Sequence, residues 1–151
     1  MKERFRLALA QISCEQGDKA RNTKKIKETV TKAKKQGADL VIFPELSLTG
    51  YVVRDQIYEL AETIPGPSTK VMEKTAKETK THIIFGMPEL SEKTQSTIYN
   101  TAVLVGPEGL IGKYRKMHLP THSVFEEKRY FRPGYQSATF DTTLGKIGMV
   151  I

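Results

Sequence analysis

"GADLVIFPELSLTGY", residues 37–51, holds a continuous apolar run from Leu40 to Phe43, set between Gly37 and Pro44. A short apolar run without alternation, bounded by chain breakers, is the pattern of a strand covered on both faces. Upstream, "RFRLALAQI" alternates like a strand and ends near Gly17. Asp18 can cap a helix from about Lys19 to Gln36, with Ile26, Val30 and Ala33 on one face and Gly37 as its stop. Strand, helix and strand in this order suggest a crossover unit. Downstream, "IPGPS" is a turn cluster, Ser68 is placed to cap a second helix to about Lys80, and "HIIFGMPE" is another buried strand. The first 90 residues therefore read β-α-β-α-β, an α/β arrangement.

After that the rhythm changes. "YNTAVLV" and "LIGKYRK" flank "GPEG", a tight turn with proline at its second position, and so read as a β-hairpin. The irregular stretch "MHLPTHSVFEEKRYFRPGYQ" follows, and "SATFDTTLGKIGMVI" suggests two strands around Leu144 and Gly145. The last of them ends on Met149, Val150 and Ile151 without turn, cap or polar tail, so the chain reads as one domain, 1–151, cut from a longer protein.

At 151 residues and 38% hydrophobic content the chain can bury a core of ordinary size. No run of about 18 apolar residues is present, so no membrane partner is expected. The N-terminal apolar run is short, alternating and without a convincing cleavage site, which argues against a signal peptide. With Cys14 as the one cysteine no internal disulfide can form, and a reducing cytoplasm is the expected location. The net charge of +7 raises the question of nucleic acid. Its lysines, however, lie between apolar positions at helical spacing, as on solvated helix faces, and no nucleic-acid-binding motif accompanies them.

Three segments put charge where an apolar scaffold would not want it. Glu45 stands just past the carboxyl end of the 40–43 strand, where ligands gather in open α/β sheets. It reads either as a local cap or ion pair, or as a general base made stronger by the exclusion of water. In "KYRKMHLP", Lys113, Arg115 and Lys116 are either edge charges that discourage aggregation or a fixed cation for Glu45 and a developing oxyanion. In "VFEEKRYF", Glu126 or Glu127 either belongs to a surface charge cluster or turns inward beside Tyr130 and Phe131. The proline in "HLPTH" prevents His118 and His122 from forming a helical metal-ligand pair, so no metal is expected and a hydrogen-bonding role is preferred for the histidines. Nothing around Cys14 suggests an activated thiolate.

Taken in order, "LALAQIS", "GADLVIFPELSLTGY", "IIFGMPE", "YNTAVLVGPEGLIGKYRKMHLP", "FEEKRYFRPG" and "FDTTLGKIGMVI" resemble the nitrilase, or carbon–nitrogen hydrolase, superfamily over nearly the whole chain. The resemblance implies the N-terminal part of an α-β-β-α sandwich that commonly pairs into dimers or larger oligomers. It also implies a Glu–Lys–Cys catalytic set that needs no cofactor. Glu45 matches the base and Lys116 the catalytic lysine, while Glu127 resembles the second pocket glutamate, its register against Glu126 left open. Tyr51, Tyr130 and Phe131 line the pocket by the same analogy, or are simple packing aromatics.

The family's nucleophilic cysteine follows the strand that here reads "GKIGMVI", so it is expected just after Ile151, and Cys14 does not match it. The resemblance thus implies hydrolysis of a small amide, carbamoyl compound or nitrile by the complete protein, and no turnover by these 151 residues alone. "HLPTHSVFEEKRYF" is also similar to glutamine-dependent NAD synthetases, which makes a glutaminase module one alternative; a catalytically silent binding or assembly subunit is another.

Overall fold

The computed structural model describes residues 4–122 and 125–151. Strand β1 (Leu7–Leu9) leads through helix α1 (Lys19–Lys35) to β2 (Leu40–Ile42). A 3-10 turn at Arg54–Gln56 runs into the short α2 (Ile57–Leu60), and α3 (Pro67–Thr79) precedes β3 (His82–Leu90). The hairpin is β4 (Ile98–Gly106) and β5 (Gly109–Arg115); then come α4 (Glu127–Tyr130), β6 (Ala138–Thr142) and β7 (Gly145–Met149). Strands β1 to β5 form one sheet in chain order, parallel from β1 to β3 and antiparallel from β3 to β5, while β6 and β7 form a second, two-stranded sheet.

The period-two alternation of β-strands explains the layering. Val41, Ile83, Phe85, Met87, Val103 and Val105 face one side and pack against Ile26, Val30, Met72 and Ala76 of α1 and α3. Leu40, Ile84, Ala102, Leu104 and Tyr114 face the other side and pack against Leu144, Met149, Phe140 and Ile147 of the β6–β7 hairpin. The result is helix on sheet on sheet. The 40–43 run is unbroken in sequence because both faces of β2 are covered.

Helix α1 begins and ends where its caps dictate. The Asp18 carboxylate accepts from the Arg21 N–H at 2.9 Å, and Gly37 takes φ +84°, which a side chain would resist. Ser68 is not the cap of α3. The helix starts at Pro67 after Gly66, whose N–H donates to Thr69 Oγ1 at 2.7 Å. Ser68 instead gives its N–H and its hydroxyl to the carboxylate of Glu62, which also accepts from Lys19. Proline suits the first helical position because its missing N–H would have had no intrahelical partner.

The sheet also buries a charge cluster. Glu89, 1% exposed at the end of β3, accepts from Lys113 Nζ (2.6 Å), from Arg115 Nη2 (2.5 Å) and Nε (2.9 Å), and from Thr101 Oγ1 (2.8 Å). The Arg115 guanidinium stacks 3.8 Å over the Tyr99 ring. Burial opposes ionisation of Glu89, but the Arg115, Lys113 and Thr101 hydrogen bonds outweigh it and hold the carboxyl below its usual range. Burial likewise opposes ionisation of Glu62, and the bonds from Lys19 and Ser68 hold that carboxyl low too.

A carboxyl whose pKa is depressed by folding adds stability above its unfolded value, and this is lost as pH falls through the folded one. Urea midpoints are therefore expected to be flat from pH 7 to 5 and to drop below about pH 4.5. Glu62→Gln should shallow that acid slope, as equilibrium unfolding at pH 3.5 and 7 would show; an unchanged slope would remove Glu62 from the explanation.

Candidate active site

The chain leaves β2 at Ile42 and, after Pro44, enters a tight turn that carries Glu45. Leu46 adopts φ +49°, and its carbonyl accepts from Gly50 N–H at 2.8 Å. A leucine in the left-handed region is strained and persists only where its surroundings over-determine it. Here they do: Leu46 is fully buried, and Leu48 N–H and Ser47 Oγ both bond to Gly86 of β3. Gly86 has no alternative at this point. A Cβ there would stand 2.3 Å from Leu46 N and 3.0 Å from the Glu45 carbonyl carbon, displacing the turn.

Lys116 follows β5 and is held by its backbone: its N–H donates to the Asn100 carbonyl and its carbonyl accepts from Gly134 N–H, both at 2.8 Å. Glu127 opens α4, with its N–H on the Pro120 carbonyl at 3.2 Å. These three segments converge. Lys116 Nζ lies 2.6 Å from Glu45 Oε1 and 2.8 Å from Glu127 Oε1, and the Tyr51 hydroxyl donates to Glu127 Oε1 at 2.5 Å. Asn100 Nδ2 donates to Glu45 Oε1 at 2.6 Å.

The register left open between the two glutamates is now visible: Glu127 is 3% exposed and bonded to Lys116, whereas Glu126 is exposed. The cations divide as well. Lys116 joins Glu45, while Lys113 and Arg115, on the same strand, serve Glu89. The expectation of a water-excluded Glu45 does not hold within this chain. Its apolar neighbours Phe43, Leu46 and Leu48 turn into the core, and the Glu45 side chain keeps 29% exposure.

The electrostatics suit a fixed cation. Burial works against the Lys116 charge, but its hydrogen bonds to Glu127 and Glu45 prevail and hold the ammonium above the usual lysine range. Burial, followed by the bond to Glu127 and the two carboxylate charges, pushes the Tyr51 phenol up, so it remains a donor. Glu127 Oε2 is buried without a hydrogen-bond partner among the described residues. Beside the cluster a groove of about 530 Å³ is lined by Tyr51, Arg54, Phe125, Glu127, Tyr130 and Phe131. Tyr51 and Tyr130 are partly open to it, while Phe131, 5% exposed, mainly packs with Leu46, Ile98 and Leu119.

Other expectations fall elsewhere. His118 and His122 are exposed rather than built into a hydrogen-bonding core, and His82, 2% exposed, has an Nε2 without a hydrogen bond among the described residues. No group of three histidine, cysteine or acidic side chains among the described residues is arranged to hold a metal ion. Cys14 is partly buried, and burial pushes its thiol up, the reverse of activation. Glu89 and Asn100 escaped the reading of the sequence. Glu89 carries the same signal that marked Glu45, an acid closing an apolar strand; Asn100 carries none.

The model of the carbon-nitrogen hydrolase family matches residues 6–151. A nitrilase of Pyrococcus abyssi is 40% identical over 135 residues, covering 87% of this chain and 49% of the relative. The omega-amidase NIT2 of Homo sapiens is 35% identical over 153 residues, 97% of this chain and 54% of the relative. Among solved structures, the glutamine-dependent NAD+ synthetase of Acinetobacter baumannii superposes with a TM-score of 0.77 at 37% identity, over 95% of this chain and 27% of that one. The chain thus spans about half the length of the first two and about a quarter of the third.

Proposed function

The chain belongs to the carbon–nitrogen hydrolase family, and from that premise we propose that the protein it builds hydrolyses small amides through Glu45, Lys116 and Glu127. The observation that carries the proposal is the 2.6 and 2.8 Å contact of one buried ammonium with two carboxylates, one of which, Glu127, lines an aromatic groove. An amide carbon is a poor electrophile, so nucleophilic catalysis divides the reaction into acyl transfer and hydrolysis. Glu45 takes the nucleophile's proton, gives it to the departing ammonia or amine, and then activates water. Lys116 balances the tetrahedral oxyanion. Glu127, itself held by the Tyr51 hydroxyl, holds Lys116 and orients the substrate.

We assign the nucleophile to a cysteine outside residues 1–151, since at Cys14 burial outweighs the nearby Lys25 charge and pushes the thiol up. The omega-amidase and glutamine-dependent relatives support small amides as the substrate class, and the nitrilase relative keeps nitriles as the alternative. We further place the protein in the cytoplasm, consistent with its unpaired Cys14, and expect it to form a homodimer or larger oligomer. Exposed Leu7, Leu9 and Val150 are suited to burial against further chain or a second copy.

The synthetase match favours a second reading, in which the chain is a glutaminase module that supplies ammonia to a synthetase. Ammonia release from a panel of small aliphatic amides, glutamine included, tests both. Turnover of simple amides supports the first reading, turnover confined to glutamine supports the second, and no turnover of any amide, nitrile or carbamoyl compound by the complete protein leaves the silent subunit.

A further inference from the structure

Glu45 Oε1 accepts two hydrogen bonds at 2.6 Å, one from Lys116 Nζ and the other from Asn100 Nδ2. Oε2 has no hydrogen bond from any described residue, and the side chain is 29% exposed. We propose that Asn100 is the positioning residue of Glu45: its carboxamide pins Oε1 against Lys116 and leaves Oε2 as the oxygen that receives the nucleophile's proton. The proposal rests on the hydrolase reading, in which Glu45 is the base.

Asn100 reaches both partners from one place on β4. Its side chain holds Glu45, while its carbonyl accepts the Lys116 N–H at 2.8 Å, so one residue sets the distance between base and cation. It is fully buried, and its Oδ1 has no partner among the described residues. This orientation of the amide is the one chemistry allows. The flipped amide would put Oδ1 against Oε1, acceptor on acceptor, beside a carboxylate. Asparagine is a poor strand former, and a buried acceptor left unpaired is destabilising.

The test uses Asn100→Leu, close in volume but without a donor, and Asn100→Ser, too short to reach. With the complete protein, kcat for a small amide is expected to fall by about a hundredfold in both variants while KM stays within about twofold, the cost of misplacing a catalytic group by about 1 Å. Crystal structures of the Asn100→Leu and Asn100→Ser chains give a readout that needs no activity: the Glu45 carboxylate is expected to leave Lys116 or to occupy several rotamers. Wild-type kcat in either variant, or Glu45 unmoved on Lys116 in the variant structures, overturns the proposal. If the wild-type protein hydrolyses no amide, the hydrolase reading fails, and the variant structures alone decide whether Asn100 positions Glu45.

Discussion

Replacing Glu45 by glutamine in the complete protein is expected to lower kcat for amide hydrolysis by roughly 10²- to 10⁴-fold, the usual contribution of a positioned general base. The substitution keeps shape and volume. It also keeps an oxygen for the Asn100 and Lys116 donors, both 2.6 Å from Oε1, so the fold around the turn should survive. What is lost is the capacity to take a proton. KM should change little, because Glu45 is not among the residues that line the groove. Steady-state kinetics with melting temperatures measured alongside would check this; wild-type kcat would remove Glu45 as the base.

The second large effect concerns stability. Arg115→Met takes two of the four hydrogen bonds from Glu89, a carboxylate 1% exposed, leaving it Lys113 and Thr101. Breaking a buried ion pair by removing one partner costs about 3–5 kcal/mol, because the other charge stays behind without compensation. Lys113 remains, so the low end of that range is expected, about 3 kcal/mol. For a chain of this size that lowers the melting temperature by roughly 10 °C. The same substitution in a Glu89→Gln background should cost far less, since no buried charge is then left to compensate. Equal costs in both backgrounds would mean that Arg115 stabilises through its packing on Tyr99 and not through Glu89.

These two glutamates show where sequence reasoning reaches and where it stops. The strand through Leu40–Ile42 was legible because burial on both faces erases alternation, and α1 because its apolar face, its cap and its stop all agree. The same logic found Glu45 after its strand but passed over Glu89, buried in β3. The placement of Ser68 failed because proline at a first helical position competes with serine as a start signal, and the carboxylate that claims Ser68 lies in the preceding loop. The choice of Glu127 over Glu126 depends on a four-residue helix too short to show periodicity. Asn100 was invisible because its role arises from the register that sets Thr101 opposite Arg115 and so places the Asn100 carbonyl on Lys116. The exposure that Glu45 keeps within this chain was equally hidden, since apolar neighbours in sequence need not face the side chain between them.

Lys116 joins the parts of the proposed chemistry: it bonds Glu45, the proposed base, and Glu127, and is the cation assigned to the oxyanion. The decisive measurement is ammonia release from a small aliphatic amide by the complete protein and by its Lys116→Met variant, at matched concentration and with folding confirmed by circular dichroism. One ammonia per amide consumed by the wild type, and none above background from the variant, is the expected result. Equal release from both, with the variant folded, would contradict the assignment of this cluster as the catalytic centre.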